Sequence, residues 1–334
     1  MWRKDTTMAL STRQEILSHR RTGQHLQRHK GWSRYNSRTF YLFVSPWLVS
    51  FLALTLLPLL YALVVSLTDF DGISPRWHWI GLANYAELLQ NADTWFSLSR
   101  TLLYTLITVP LSVAGGLGLA ILLNQRLKAV GFFRTVFYLP SVVPVVASAI
   151  MWKLMFDRDA GAINAIFERL GISIVTWLVD PMVFYALIIM VLWGLGGGMI
   201  ISLAGLQGIP SELQEAAVVD GANSWQTFWR ITLPLLSPIL FFQVITGVIY
   251  ALQTLIQPLL LAQSSQSASS TIAAVPRGNY LYMVNVFQQF FYNQRFGYGS
   301  AMLWVLFVII LAITLLVFRS STFWVYYEVD RDTQ

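Results

Sequence analysis

The sequence predicts an all-α polytopic membrane protein with six transmembrane helices. Of its 334 residues, 56% are hydrophobic and only 11% are charged, and the mean hydropathy is +0.58. Such a composition is rare in a soluble domain, which must hide its apolar surface from water. The apolar residues also form long blocks, and about 20 helical residues are enough to cross a hydrocarbon core of ~30 Å. Composition and block length together indicate a chain that crosses a bilayer several times.

Six apolar segments define the predicted spans. Six crossings return the carboxyl terminus to the side of the membrane on which the chain begins. The predicted organisation is an amino-terminal tail (1–39), a six-helix membrane domain (40–319) and a short carboxyl-terminal tail (320–334). The spans are predicted at residues 40–67, 101–124, 135–155, 182–206, 235–262 and 299–318.

The distribution of positive charge predicts the orientation. Residues 1–39 hold nine Lys/Arg against two acidic residues, directly before the first apolar block. The segments predicted to be cytoplasmic carry 15 Lys/Arg, whereas the outer segments and outer helix ends carry seven. Because Lys and Arg accumulate on the cytoplasmic side of membrane proteins, both termini are predicted to be cytoplasmic. The net charge of +6 then reflects topology and contact with lipid headgroups rather than nucleic-acid binding.

The composition argues against metal, disulfide and nucleotide chemistry in this chain. Cysteine is absent, and three of the four histidines lie in the basic tail without clustered carboxylates. The residues that follow the four lysines are Asp5, Gly31, Ala129 and Leu154, so no Gly-Lys-Ser/Thr phosphate loop exists. We therefore expect no catalytic residue and no bound metal or cofactor.

One loop carries the most specific pattern in the chain. It occupies residues 207–234, between the fourth and fifth apolar segments, on the side predicted to be cytoplasmic. Its fixed positions are Glu215-Ala216-Ala217, then three residues, Gly221, nine residues, and Ile231-Thr232-Leu233-Pro234.

Simple physical chemistry predicts the shape of this loop. Ser211 is expected to cap a helix that carries Glu212 and Glu215 near its positive amino-terminal end. Gly221 permits a sharp turn that a side chain would obstruct. Pro234 can begin the next span, where its missing N–H is not needed. The loop is thus predicted to form a helix, a turn and a second helix that together project toward a partner.

The pattern resembles the EAA loop of binding-protein-dependent ABC importer permeases at every fixed position and spacing. Residues 139–167, 205–222 and 296–316 are also similar to the sugar and glycerol-phosphate branch of these permeases, to which maltose permease belongs. The resemblance extends from residue 40 to the end of the chain. It implies the type I ABC importer permease fold, with the loop as a cytoplasmic coupling helix.

The resemblance also assigns roles to single residues. It implies that Glu215 pairs with a basic group on an ATPase, that Ala216 and Ala217 permit close packing, and that Gly221 shapes the turn. Ile231, Leu233 and Pro234 complete the matched pattern. The alternative interpretation is that these residues only organise a helical hairpin within this subunit.

A set of partners in a prokaryotic cytoplasmic membrane follows from the same resemblance. They are a second, similar permease subunit, expected to form a heterodimer with this chain, two copies of a cytoplasmic ATPase that uses ATP and Mg, and an extracytoplasmic solute-binding protein. The expected function is import of a sugar or related polyol by alternating access, with energy supplied by the ATPase.

Polar residues in the fifth segment predict a substrate path. They recur with spacings of three, four, three and four, which place them on one helix face, at Gln243, Thr246, Tyr250, Gln253 and Gln257. Amides and an aromatic ring suit an uncharged, hydroxylated solute. The similarity to maltose permease adds Thr254 and aligns Tyr250, Gln253 and Thr254 with the helix that lines its sugar site. Hydrogen bonding between helices is the alternative role for Gln243 and Thr246.

Two alternatives concern the cargo and the class of transporter. A sugar phosphate or glycerol-phosphate compound remains open as cargo, because Lys153 and Arg158 flank the third segment, although Asp157 and Asp159 lie beside them. An ion-coupled secondary transporter is disfavoured, since its spans ordinarily contain buried charged groups. A membrane scaffold or sensor is disfavoured because no signalling domain accompanies the spans.

Glycines in the fourth segment predict close helix packing. Small residues let helix backbones approach one another in a bilayer. Space for solute is the alternative explanation for this cluster, which consists of Gly194, Gly196, Gly197 and Gly198.

Overall fold

The computed structural model describes residues 37–125, 128–261 and 275–326. Within these ranges the regular structure is helical, apart from one isolated β-bridge between Thr68 and Trp79. The predicted all-α fold is therefore confirmed. Most of the basic tail, the serine-rich stretch at 264–270 and the last eight residues lie outside the described residues.

The chain divides into two compact units, residues 1–61 and 62–334. The described part of the first unit is helical. It contains α1 (Ser37–Phe51), a π-helical turn (Leu52–Leu56) and the beginning of α2 (Leu57–Ser66). The continuous helix Phe40–Ser66 matches the first predicted span.

Three more helices are long and apolar enough to cross a membrane. They are α4 (Ala92–Asn124), α15 (Phe296–Trp324) and the helical stretch Ser224–Leu252. The 33 residues of α4 exceed the ~20 that a bilayer core requires, so this helix extends beyond the predicted 101–124. Its start is capped by Asn91, whose side-chain oxygen accepts hydrogen bonds from the backbone N–H groups of Asp93 and Thr94.

The third predicted span is broken rather than continuous. Helices α5 (Val130–Val142) and α6 (Val145–Met155) meet at an angle of 99°. Pro144 occupies the break, and Val143 before it is extended, as expected for a residue that precedes proline. The prediction of one helix over 135–155 is therefore wrong at its centre.

The fourth predicted span also bends. Helices α8 (Met182–Leu192) and α9 (Gly196–Gln207) form an angle of 41°. If each bent pair counts as one span, the described residues contain six candidate spans, in agreement with the predicted number.

The fifth predicted span ends earlier than expected. Helix α12 (Leu233–Leu252) is followed by a turn and by the short α13 (Ile256–Leu261). A helix that continued through Pro258 would force the proline ring against the carbonyl of Thr254. The observed break instead places Pro258 in the first turn of α13, where proline is tolerated.

Helix α9 packs closely against its neighbours through glycine. A Cβ atom on Gly196 would lie 2.1 Å from the carbonyl oxygen of Phe137 in α5. A Cβ atom on Gly116 in α4 would lie 3.1 Å from the backbone nitrogen of Met199 in α9. At Gly196 the backbones approach too closely for a side chain, and at Gly116 a side chain would fit only if α9 shifted slightly. The structure thus matches the close-packing interpretation of Gly196.

Short helices connect the spans on the side predicted to be extracytoplasmic. Ion pairs attach two of them to the ends of spans. Arg295, just before α15, binds Glu87 of α3 through hydrogen bonds of 2.5 and 2.7 Å, and Arg277 of the 3₁₀ turn binds Asp93 of α4 at 2.7 Å. The connecting elements are α3 (Ala83–Gln90), α7 (Ala162–Arg169), a 3₁₀ turn (Arg277–Asn279) and α14 (Tyr282–Phe291).

The glycine contact of α9 yields a stability prediction. Gly196→Ala should lower the free energy of unfolding by about 1–3 kcal/mol, because α5 and α9 must move apart to admit the methyl group. Thermal unfolding in detergent, followed by tryptophan fluorescence, measures the effect. Gly118→Ala is the matched control: nothing lies within 4 Å of its Cβ position, and alanine favours helix. Equal melting temperatures for Gly196→Ala and the wild type would contradict the packing role.

Candidate functional site

The EAA pattern forms a helical hairpin. Helix α10 (Ser211–Val219) is followed by a turn at 220–223, by the short α11 (Ser224–Thr227) and by a π-helical turn (Phe228–Thr232) that runs into α12. We call residues 211–232 the EAA hairpin. The predicted helix, turn and second helix are confirmed, and the second helix is continuous with the fifth span.

The start of α10 differs from the prediction. Pro210 occupies the N-cap position with an extended backbone (ψ 132°), and no side chain caps the helix. Ser211 is already the first helical residue, so its predicted capping role is wrong. Proline suits this boundary because it cannot itself continue a preceding helix. Glu212 lies in the first turn of α10, where the helix dipole favours a negative charge.

The turn depends on the backbone conformation of Gly221. Its φ of +81° lies in the left-handed region, which L side chains rarely adopt. Gly221 donates a backbone hydrogen bond to the carbonyl of Val218 at 3.0 Å, and Ala222 donates to that of Ala217 at 2.9 Å. These two bonds form a Schellman motif, which satisfies the last carbonyls of α10. A Cβ atom at 221 would meet nothing within 4 Å, so glycine is required for its conformation and not for space.

A capping box begins the second helix of the hairpin. The side-chain oxygen of Asn223 accepts a hydrogen bond from the backbone N–H of Gln226 at 2.8 Å. The side chain of Gln226 accepts one from the backbone N–H of Asn223 at 2.9 Å. Our sequence interpretation missed this pair, although an Asn followed three residues later by Gln is a readable signal for a helix start.

A groove of about 530 Å³ lies between α10 and the second helix of the hairpin. Ala216, Ala217, Gly221 and Ile231 all line it, so the fold brings four residues of the EAA pattern together. Asp220 and Arg230 also line the groove and were not singled out from the sequence. Leu233 and Pro234 lie beyond it, at the start of α12.

Glu215 lies outside the groove lining, on the exposed surface of α10. Neither Glu215 nor its neighbours Glu212 and Asp220 form an ion pair with any residue that the structure describes. The hairpin thus presents three unpaired carboxylates beside a groove with small side chains. Such a surface can accept a basic group from another molecule without displacing an existing partner.

The residues predicted to form one polar stripe are divided among two helices and the turn that joins them. Gln243, Thr246 and Tyr250 lie on α12. Gln253 and Thr254 lie in the turn after α12, and Gln257 lies on α13. The predicted stripe did not include Thr254, which the similarity to maltose permease added. The prediction that the five stripe residues share one helix face is wrong beyond Leu252, because α12 ends there.

These polar side chains also differ in exposure. The side chain of Tyr250 is 77% exposed, and Gln253 is exposed as well. Gln243 is only 7% exposed, and its amide nitrogen donates a 2.8 Å hydrogen bond to the hydroxyl of Ser202 in α9. Thr246 donates to the carbonyl of Phe242 within its own helix. The hydrogen bond of Gln243 matches the interhelical interpretation, and the path role of the exposed residues stays a prediction.

Known proteins are similar in sequence to this chain over most of its length. A probable ABC transporter permease protein of Bacillus subtilis (strain 168), YesP, is 39% identical over 293 residues, which cover 86% of this chain and 92% of that protein. The trehalose/maltose transport system permease protein MalF of Thermococcus litoralis is 33% identical over 286 residues, which cover 85% and 93%.

Solved structures share the fold. A bacterial alginate ABC transporter, crystallised with an alginate pentasaccharide-bound periplasmic protein, contains a chain that matches with a TM-score of 0.70 at 20% identity. The match covers 84% of this chain and 93% of that chain. The helical arrangement of this chain is thus shared with a chain of that transporter.

The family model described as "binding-protein-dependent transport system inner membrane component" matches residues 112–334. This range includes the EAA hairpin, the groove beside it and the polar residues of α12. Together with the relatives that match over most of their length, the family model shows that the chain belongs to the family of inner-membrane components of binding-protein-dependent transport systems.

Proposed function

We propose that this chain is the permease subunit through which a sugar or related polyol crosses the membrane, and that the EAA hairpin couples it to a partner ATPase. The observation that carries this proposal is the hairpin itself. It is held by a Schellman motif and a capping box, and it runs directly into α12 after Thr232. It exposes carboxylates that form no ion pair with a described residue. A projection of this kind transmits displacement because its turn is fixed by hydrogen bonds.

Two independent observations support a sugar or related polyol as the cargo. Relatives at about 31–33% identity are named as permeases for trehalose/maltose, lactose (Rhizobium radiobacter) and arabinooligosaccharides (Bacillus subtilis). Within this chain, the exposed ring of Tyr250 and the amide of Gln253 provide an aromatic face and hydrogen-bonding groups that suit sugar hydroxyls. Gln257, Thr254 and Thr246 extend the same polar lining.

The partners follow from the mechanism. A second, similar permease completes the path, two copies of a cytoplasmic ATPase bind ATP and Mg, and an extracytoplasmic binding protein delivers the solute. This chain binds no cofactor of its own. Its proposed place is the prokaryotic inner membrane, with the tails 1–39 and 320–334 and the loop 207–234 in the cytoplasm and residues 40–319 forming the permease domain.

In the proposed alternating-access cycle, the ATPases, the coupling hairpins and the membrane path each have a defined role. ATP closes the paired ATPases and brings the coupling hairpins of the two permeases together, which opens the path toward the loaded binding protein. Hydrolysis resets the inward-facing state. ATP can drive this cycle only because the assembly binds nucleotide with different affinity in its two conformations.

Reconstitution tests the proposed function. The chain and its natural partner proteins are placed in proteoliposomes, and uptake of radiolabelled maltose, trehalose, lactose and arabinose oligomers is measured with ATP or with a non-hydrolysable analogue. We expect uptake of at least one sugar that requires ATP and the binding protein. Uptake by this chain without an ATPase, or import of only a charged non-sugar solute, would contradict the proposal.

The left-handed turn provides a test of coupling. Gly221→Pro should reduce ATP-dependent uptake at least ~10-fold while the subunit still inserts, because proline holds φ near −65° and cannot adopt the turn. Gly221→Asn should retain most activity, since asparagine tolerates the left-handed region. Gly131→Ala is the control: nothing lies within 4 Å of that Cβ position, and Gly131 has no positive φ. Wild-type uptake by Gly221→Pro would rule out a coupling role for the turn.

The carboxylates of α10 provide a second test. Glu215→Gln should lower solute-stimulated ATP hydrolysis about 10-fold, because the basic group of the partner loses its charged contact. Glu212→Gln is the matched control, since this carboxylate is also exposed on the same helix and has no ion-pair partner among the described residues. Equal effects of the two substitutions would indicate general acidity of the hairpin rather than a specific contact at Glu215.

A further inference from the structure

A compact loop that contains α7 joins α6 to α8. We call residues 157–180 the outer loop. One candidate span, the bent pair of α8 and α9, separates it from the EAA hairpin. Helix α6 ends at Met155 and α8 begins at Met182, so both ends of the outer loop are attached directly to helices of candidate spans. The loop is therefore held close to the membrane surface.

The side chain of Asn164 fixes the shape of the outer loop from inside. It is 3% exposed, and its amide nitrogen donates hydrogen bonds to the carbonyls of Arg158 and Val175 at 3.0 and 2.9 Å. Its oxygen accepts from the backbone N–H of Val175 and from the indole N–H of Trp177. The ring of Trp177 packs against that of Phe156, with 5.2 Å between the ring centroids. A buried amide that is bonded on both sides holds the two arms of the loop in one arrangement.

Backbone hydrogen bonds fix the end of α7 in the same way. Ile172 donates to the carbonyl of Phe167 at 2.8 Å, and Gly171 donates to that of Glu168 at 3.0 Å. Gly171 has a φ of +73°, and the three features together form a Schellman motif. This motif holds Ile172 beside the last turn of α7. The outer loop thus presents a fixed surface to its surroundings.

One edge of that surface is apolar and exposed. Ile166 and Leu170 lie four residues apart on α7 and therefore on the same helix face. Ile172 and Ile174 follow directly after the helix, and we call these four side chains the apolar edge. They are between 49% and 68% exposed. Glu168 is also exposed, but it lies about 200° around the helix from Ile166. The apolar and polar parts of the exposed surface of α7 are therefore on different faces.

A lipid bilayer accounts for this edge better than water or a transient protein partner. Apolar side chains are most stable where they are removed from water, and a soluble partner that binds and leaves would return them to water between encounters. The bilayer, in contrast, is always adjacent to the loop. Exposed apolar surface also continues onto the attached helices, at Leu154 of α6 and Tyr185 of α8. Tyrosine is enriched where spans meet the membrane surface.

We propose that the outer loop lies in the interfacial layer of the bilayer, with its apolar edge inserted at the boundary between phospholipid headgroups and acyl chains. Glu168 then faces the headgroups and water, as the polar face of an interfacial helix does. Because the loop is rigid, its insertion sets the depth at which α6 and α8 leave the membrane. This inference goes beyond the proposed function: it depends on the membrane location of the flanking helices and not on cargo or coupling.

Spin labels on single cysteines test this placement. The chain contains no cysteine, so one can be introduced at a time, and the assembled transporter, with cysteine-free partner subunits, is placed in liposomes of phosphatidylethanolamine and phosphatidylglycerol. At Ile166→Cys and Leu170→Cys, EPR power saturation should show accessibility to oxygen, which dissolves in lipid, at least ~3-fold above accessibility to a water-soluble nickel chelate. Glu168→Cys is the matched control on the same helix and should show the reverse preference.

Labels at Ile172→Cys and Ile174→Cys repeat the measurement outside α7. The test therefore does not depend on how well the helix tolerates a label. We expect the same preference for oxygen at these two positions, because the Schellman motif holds Ile172 beside the helix end.

Each other outcome would overturn the inference in a recognisable way. Preference for the nickel chelate along the whole apolar edge would place that edge in water. Low accessibility to both reagents would place it against a second permease subunit. Nickel-chelate accessibility that falls only when the binding protein is added would identify a docking surface for that protein instead. Absence of ATP-dependent uptake by the unmodified transporter would contradict the proposed function without changing the label result, so the two failures can be told apart.

Discussion

Contact between backbones around α9 is the constraint on which the membrane domain depends. Helices in a bilayer gain little from apolar burial against one another, because lipid is equally apolar, so close van der Waals contact must hold them. Gly196 and Gly116 remove the side chains that would keep α5 and α4 away from α9. The position of α9 in turn fixes where the EAA hairpin begins, since only Gly208, Ile209 and Pro210 separate the two.

The hairpin combines local rigidity with an open surface. Its turn is specified by one left-handed glycine, and its second helix is specified by a capping box. These interactions lie within the hairpin, so its shape does not require a partner. Its carboxylates form no ion pair with any other described residue, so they and the groove are available to another molecule. A preformed surface binds with a smaller loss of conformational entropy than one that must fold on contact.

Features that depend on neighbouring residues could be predicted from the sequence. Features that depend on breaks within a helix, or on contacts between residues far apart in the chain, could not. The helical class and the number of candidate spans follow from local hydropathy, and the turn at Gly221 follows from the backbone freedom of glycine. Hydropathy does not report bends, so the 99° break at Pro144 and the end of α12 before Pro258 were missed. The pairing of Gln243 with Ser202 joins residues far apart in the chain, and helix periodicity cannot predict such a contact.

The two π-helical turns found among the described residues have a consequence for insertions and deletions. Each lies directly before a Leu-Pro pair, Leu57-Pro58 in the first span and Leu233-Pro234 in the fifth, where the wider turn relieves the clash of the proline ring. A π-turn holds one residue more than an α-turn. Losing that residue would preserve the helix but rotate its earlier part by about 100° relative to its later part. The orientation of the hairpin about the axis of the fifth span therefore depends on the one additional residue in the π-turn Phe228–Thr232.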